Sequence, residues 1–414
     1  MAGPSKPRLK PPKHPLLRWI SHALMGINLA LAVGMLLVYA SPYLDPRWLA
    51  PLALLGFAYY PLLVGLLLCS VLWILRRNFR FLLTLVVLVL GWSVHARYWK
   101  WPTFKGVEQE NSLDALQKEL SGILDGDRIM VASYNVGTFR ALGTEVEGLE
   151  LESKSPRDYL VHMMGTLQPH IVGLQDFVSW DPQHFDVLRQ LSRDPRLRGG
   201  SFVGLNRDRR AVCFVQPKGS VRVDRPDWFS GLGLWTRGKV LAFDYVNLGE
   251  GDSPTGLLWA DLVLDGDTLR ALNIHLASNQ ITLRDLSPVR ALDLQSDTAQ
   301  QSVFRIFRKI AGNARLRANQ ANIIHAQVKA SPYPVVLMGD FNDLPHSFAV
   351  GLAGRGLKDS FVERGQGLGH TYAGGFPSFR IDHIFADKAL PILFHRVLEG
   401  GHSDHYPVVA VLGR

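Results

Sequence analysis

The residues able to do chemistry in this 414-residue chain stand at the ends of apolar, strand-like runs. Asn135 closes Met130-Val-Ala-Ser-Tyr-Asn, Gln175-Asp176 close Ile171-Val-Gly-Leu, and His275 closes Leu272-Asn-Ile. Asp340 and Asn342 end Val335-Val-Leu-Met-Gly, Asp382 lies inside Arg380-Ile-Asp-His-Ile-Phe, and Ser403-Asp404-His405 precede Tyr406-Pro-Val-Val. A strand holds a side chain rigidly, and the loop after it leaves that side chain open to a ligand. A single Asp after a strand is more often a turn or cap residue. Six such endings in one domain exceed what turns explain.

The residue types suit one task. Asp176 and Asp404 are hard oxygen ligands, matched to Mg²⁺ or Mn²⁺ rather than to Zn²⁺, which favours His and Cys. Asp382 can accept a hydrogen bond from one ring nitrogen of His405, fixing its tautomer and raising its basicity. No HExxH, P-loop or Gly-x-Ser-x-Gly elbow occurs. That disfavours zinc peptidase, nucleotide-driven and serine-hydrolase chemistry and leaves water activated near a metal.

In order and spacing, these motifs resemble the endonuclease/exonuclease/phosphatase superfamily, the DNase I-like fold. The set is Ser133-Tyr-Asn135-Val, Leu174-Gln-Asp176, Asn273-Ile-His275-Leu, Gly339-Asp340-Phe-Asn342-Asp, Arg380-Ile-Asp382-His-Ile and Ser403-Asp404-His405. Arg317-Ala-Asn-Gln320 and His370-Thr-Tyr372 fit bacterial members that carry several N-terminal membrane helices. The resemblance implies an α/β (α+β) four-layer sandwich of two mixed, mostly antiparallel sheets flanked by helices. It also implies metal-dependent cleavage of a phosphate ester. By the same resemblance, Asp176 and Asp404 bind the metal and Asn135 helps position metal or phosphate. Asp340 orients or deprotonates the attacking water and Asn342 holds phosphate. His405, braced by Asp382, acts as acid or base, and His275 is the opposite histidine. Asp176 departs from the family, which usually places a Glu there; Asp is one methylene shorter.

The elements that must position these groups begin near Arg128. From there strand-like and helix-like stretches alternate, with a strand expected over residues 128–136 and a helix over 156–167. Asp265-Gly266-Asp267 signals a hairpin. A long helix is expected over residues 298–330, interrupted near Gly312. His370, His383, His395 and His402 read more simply as surface or core histidines. Arg317 and Gln320 read as a pair on a helix face, and Arg207-Asp-Arg209-Arg210 as a solvated loop. Arg305, Arg308 and Lys309 recur at helical spacing as a basic face.

The first quarter has a different character. The net charge is +9, and residues 1–110 hold 12 Lys and Arg against 3 Asp and Glu, so the remainder is neutral. Three uncharged apolar runs, near Ile20–Ala40, Leu49–Leu75 and Phe81–Ala96, each approach the roughly 17–25 residues that cross a bilayer as a helix. Trp19, Tyr39, Tyr43, Trp48, Trp73, Tyr98, Trp99 and Trp101 mark their ends as an interfacial belt. Lys6, Arg8, Lys10, Lys13 and Arg18 precede the first run, and Arg76, Arg77 and Arg80 separate the second and third. The positive-inside rule then puts the tail in the cytoplasm and everything after the third run outside it.

The expected organisation is a basic cytoplasmic tail (1–19), a three-helix transmembrane anchor (20–101), a juxtamembrane connector (102–127) and a catalytic domain (128–414). The connector helix reads as a surface helix packed on the domain, the alternative being a helix lying on the bilayer. The expected localisation is the bacterial inner membrane, multi-pass, with the catalytic domain extracytoplasmic. A neutral catalytic domain gains little affinity for DNA by counterion release. Tethering raises the effective concentration of any lipid head group. The expected function is therefore a Mg²⁺- or Mn²⁺-dependent phosphoesterase with the bilayer as partner and a lipid-linked or small phosphate ester as substrate. The alternatives are a tethered DNase-type endonuclease and a catalytically silent scaffold.

Overall fold

A computed structural model describes residues 15–414 apart from 102–112, 125, 140–155, 181–186, 189–190, 192–193, 198–199, 207, 216–227, 250–254, 280, 282–296, 374–378 and 401–402. His402 and Arg207 fall outside the described residues. The chain divides into two compact units, residues 1–40 with 55–93 and residues 41–54 with 94–414.

The N-terminal region holds α1 (Pro15–Ala40), α2 (Pro46–Phe57), α3 (Tyr59–Leu75), α4 (Phe81–Leu90) and α5 (Trp92–Tyr98). Three single membrane-crossing helices were expected here, and the structure corrects this. Among the described residues one helix is long and apolar enough by itself, with mean hydropathy 2.1 in Arg18–Tyr43. The second run is two helices that meet at Ala58, three residues ahead of Pro61, and α2 is itself kinked at Leu49 (φ −129°, ψ 49°) ahead of Pro51. A proline removes one helical hydrogen bond and its ring clashes with the preceding turn. Pro61 falls in the first turn of the 17-residue α3, where a missing N–H is tolerated. The third run is α4 and α5, bent by 73°. The bend is at Gly91, where the ring of Tyr39 occupies the space a Cβ would need.

In the first unit, Gly34 meets Leu62 and Gly65 meets Leu31, so α1 and α3 approach closely through small residues. Thr84 Oγ1 lies 3.3 Å from Asn28 Oδ1, and both side chains are buried. Ile27, Leu29, Val33, Leu68, Val71, Val86 and Val89 point outward. The unit is thus apolar outside as well as inside, where Met35, Leu66, Trp73 and Val87 are buried with the Asn28–Thr84 pair.

The second unit is built on two sheets. One has seven strands in the order β12-β13-β1-β2-β5-β3-β4. These are β1 (Arg128–Asn135), β2 (Ile171–Trp180), β3 (Ser201–Leu205), β4 (Ala211–Val215), β5 (Trp228–Thr236), β12 (Ile392–Val397) and β13 (Val408–Gly413). The other has six in the order β10-β11-β9-β8-β7-β6. These are β6 (Lys239–Asn247), β7 (Gly256–Leu264), β8 (Asp267–His275), β9 (Val335–Asp340), β10 (Lys358–Asp359) and β11 (Asp382–Ala386). Only β1/β2 and β8/β9 pair in parallel; the other named pairings are antiparallel.

Alternation along the strands makes three apolar layers. Val131, Ile171, Val203 and Leu234 of one sheet face Ala260, Leu262, Val336, Met338 and Ile384 of the other. The outer face of the seven-stranded sheet packs on α6 (Leu113–Ser121) and α7 (Pro156–Leu167). The outer face of the six-stranded sheet packs on α8 (Asp297–Lys329) and α9 (Phe348–Ala353). Two mixed sheets between helices are the architecture the motifs implied. Leu113, Leu116 and Leu120 are buried, so the connector helix packs on the domain.

Helix α8 runs unbroken through Gly312, against the expected interruption. Glycine costs only about 1 kcal/mol relative to alanine in a helix, and Ala318, Ala321 and Ile324 are buried along α8. A short helix, α10 (Ser360–Arg364), follows β10.

Candidate active site

Strand register brings the expected residues together. In the six-stranded sheet His275, Asp340 and Asp382 form one row: His275 pairs with Asp340 across β8/β9, and Asp382 with Asp340 across β11/β9. In the seven-stranded sheet Asn135 pairs with Gln175 at the ends of the parallel β1 and β2. Ser403-Asp404-His405 enter just before β13, which pairs with β1.

Asp340 is the centre. Its Oδ2 accepts from Asn135 Nδ2 at 2.9 Å and from Asn342 Nδ2 at 3.2 Å. The Nε2 atoms of His275 and His405 stand 3.5 and 3.7 Å from the same oxygen. Its Oδ1 accepts from the backbone N–H of Asn342 at 2.8 Å. The Asp340 side chain is only 1% exposed.

His405 Nδ1 lies 2.9 Å from Asp382 Oδ2. Thr371 Oγ1 accepts from the backbone N–H of Ile381 and of Asp382, each at 3.0 Å, and so positions that carboxylate. Burial alone would lower the pKa of His405; Asp382, Asp340 and Asp404 outweigh it and hold the imidazole up at about 10. Tyr372 packs edge-on against His405 with ring centroids 5.3 Å apart. Burial, with Asp404 and Asp340 nearby, raises the pKa of the Tyr372 hydroxyl.

Two of the expected residues adopt left-handed backbone: Asp176 at φ 47° and Asn342 at φ 50°. Asp and Asn tolerate this region better than most residues, and such conformations cluster at functional sites. At Asp176 the pairing of β2 with β5 shifts register between Leu174 and Phe177. The bulge turns Asp176 toward His275, whose Nδ1 is 3.5 Å from its Oδ1.

Asn135 is committed at both ends of its side chain. Its Oδ1 accepts from Gly137 N–H at 3.0 Å while its Nδ2 holds Asp340. It therefore acts on Asp340 directly. Asp404 Oδ1 lies 3.2 Å from Ser403 Oγ, which is itself 2.9 Å from Asn135 O.

A divalent cation fits this donor set. The carboxylates of Asp340 and Asp382 and the His405 ring can offer atoms within 4.8 Å of one another. Among the described residues, Asp176, Asp340, Asp382 and Asp404 form no ion pair with Lys or Arg. His275 Nδ1 and Asp382 Oδ1 are buried without a hydrogen-bond partner. Beyond His405, this carboxylate cluster has no Lys or Arg partner among the described residues, a setting that suits a hard cation.

Several supporting residues carried no role in the sequence reading. Arg317 does not pair with Gln320. Its guanidinium bonds Asp343 Oδ2 at 2.9 Å, Ala277 O at 2.9 Å and Asn279 Oδ1 at 3.0 Å, tying together the loops after β8 and β9. Gln320 accepts from Ala277 N–H and donates to Leu248 O. Asn273 donates from β8 to Leu174 O and Gly233 O in the other sheet. His383 and His395 are core residues, as read: His383 lies against Arg380 Nη1 at 2.7 Å and His395 against Ser360 Oγ at 2.8 Å.

A two-sheet sandwich with carboxylates, amides and imidazoles at one strand-end row defines a hydrolase acting on phosphate esters. The model of the Endonuclease/Exonuclease/phosphatase family matches residues 132–405, and the chain belongs to that family. A domain of unknown function matches residues 21–98. No curated protein matches the chain. Among solved structures, an endonuclease/exonuclease/phosphatase from Beutenbergia cavernae is 18% identical, with TM-score 0.45, over 70% of this chain and 72% of that one. A mannosyl-6-phosphatase from Bacteroides thetaiotaomicron is 19% identical, with TM-score 0.44, over 69% of this chain and all (100%) of that one. D. rerio TDP2 complexed with a single-strand DNA product is 16% identical, with TM-score 0.44, over 70% and 100%.

Proposed function

We propose that this chain is a membrane-anchored, divalent-metal-dependent phosphoesterase that hydrolyses a lipid-linked or small phosphate ester. The observation that carries the reading is the convergence of Asn135, Asn342, His275 and His405 on Asp340 Oδ2. Asp176 and Asp404 would hold Mg²⁺ or Mn²⁺ beside it. When bound, the ion lowers the pKa of water and offsets charge on the phosphate.

Asp340 orients the attacking water and accepts its proton. Asn342, held in left-handed backbone beside it, presents its amide to a phosphate oxygen. His405 carries a proton at Nε2 toward the phosphate, with Asp382 fixing its ring. His275 stands on the other flank of Asp340 and stabilises or protonates the leaving oxygen. Fixed groups aimed at developing charge supply much of such catalysis.

Anchoring is supported by the aliphatic outer surface of the first unit.

The test uses the full chain with Mg²⁺ and three substrates: phospholipid vesicles, plasmid DNA and a bis-phosphate chromogen. Turnover of chromogen and vesicle lipid, stopped by chelation, is expected. Nicking of DNA without lipid turnover overturns the substrate class. No turnover of any substrate, with metal still bound, points to a scaffold. A reporter active only outside the cytoplasm, fused after Trp101, reads positive if the orientation holds.

A further inference from the structure

We propose that residues 94–100, the stretch with which the chain re-enters the catalytic unit, position the active site, with Arg97 and Tyr98 as the positioning residues. The inference rests on the phosphoesterase reading of Asp340 and His405.

The stretch touches three segments that lead to central groups. The first is the loop after β9. It begins at Asn342, whose side chain and N–H both hold Asp340, and runs to His346. Arg97 Nη1 donates to Pro345 O at 3.1 Å, and the Tyr98 hydroxyl lies 2.6 Å from His346 Nδ1. Tyr98 is 4% exposed and His346 1%. The second is the approach to β11. Arg380 Nη2 donates to Arg97 O at 3.2 Å, and Arg380 Nη1 meets His383, next in sequence to the Asp382 that braces His405. The third is the segment before Thr371 and Tyr372. Lys100 and Gly367 exchange backbone hydrogen bonds of 2.9 and 3.0 Å.

Packing alone would be served by Phe at position 98. A buried hydroxyl aimed at a ring nitrogen instead fixes where His346 sits and which nitrogen carries its proton. The loop from Asn342 to His346 is then held at one end by Asp340, in the middle by Arg317 on Asp343, and at the far end by Arg97 and Tyr98. Small displacements of a catalytic group reduce turnover steeply. A loop released at its far end therefore misplaces Asn342 and Asp340 without emptying the binding site.

The experiment uses the full chain with Mg²⁺ and a bis-phosphate chromogen. Tyr98→Phe lowers kcat about 10-fold with KM within about twofold. His346→Leu does the same, and the double variant loses no more than the worse single variant, because both remove one contact. His346→Asn, which keeps an acceptor near the Nδ1 position, recovers part of the loss. Hydrogen exchange at residues 341–346 rises in Tyr98→Phe while β13 stays protected. Unchanged kcat and unchanged exchange in a folded Tyr98→Phe overturn the inference, and so do additive losses in the double variant. If the unsubstituted chain turns over no phosphate ester, the phosphoesterase reading fails, and exchange at 341–346 still decides the positioning. If His346→Leu does not fold, Tyr98→Phe alone decides it.

Discussion

Asn135 Nδ2 donates to Asp340 Oδ2 at 2.9 Å across the space between two sheets. Asn135 ends β1 of the seven-stranded sheet and Asp340 ends β9 of the six-stranded one. His405 and Asp382 make a second link of the same kind, from the approach to β13 to the start of β11. The site thus forms only where the two apolar inner faces are packed.

Asp340→Ala removes the oxygen on which four side chains converge. Loss of turnover by about 10²–10⁴-fold is expected, the usual range for a positioned proton acceptor. His405→Ala falls in the same range. Circular dichroism shows both variants folded, with thermal midpoints lowered by the buried partners left unpaired. Turnover retained in both variants shows that the site is elsewhere.

Chelation abolishes activity, and Mg²⁺ or Mn²⁺ restores it. Asp176→Ala raises the half-saturating metal concentration by about 10-fold or more, in keeping with the loss of a carboxylate from a metal site. The thermal midpoint without metal falls only slightly, because the Asp176 side chain is 29% exposed but Ala tolerates the left-handed backbone at this position less well than Asp. A metal titration of activity, run beside a melting curve, checks both.

Acid destabilises the catalytic unit well before its carboxylates protonate. Burial lowers the pKa of His346 to about 3, with Arg97 adding to the effect. Burial does the same to His395, also to about 3, with Arg380 adding and Asp359 opposing. In the unfolded chain both titrate near 6.5. Below that pH the unfolded state binds protons that the folded state refuses. These two histidines therefore make stability fall below about pH 6.5, by up to about 1.4 kcal/mol per pH unit each, while His405, held protonated in the fold to about 10, makes it fall again as pH rises above 6.5. Unfolding midpoints at pH 8, 6.5 and 5 show both falls, and His395→Gln flattens the acid one.

Gly339→Ala prevents folding or destabilises by about 3 kcal/mol or more, the range of severe core strain. Residue 339 has φ +139°, and a Cβ there would collide with the backbone of Ile274 on β8. Expression level and melting temperature read this out. Gly312→Ala is the control; it faces open space and keeps or raises the midpoint.

Sequence alone determined the chemistry and the strand sequence that carries it. Asn135, Asp340 and His275 could be named because a polar residue closing an apolar, strand-like run is a local pattern. The connector helix was legible for the same reason, through Leu113, Leu116 and Leu120 at helical spacing. Tertiary structure decided what no local pattern encodes. It broke two apolar runs into α2/α3 at Ala58 and α4/α5 at Gly91, through backbone geometry that hydropathy does not register. It assigned Arg317 to Asp343 rather than to Gln320, and Tyr98 to His346, 248 residues away. It spent both ends of the Asn135 amide on Gly137 and Asp340. Short-range spacing selects helix or strand, whereas these partners are chosen by sheet packing, which joins residues hundreds of positions apart.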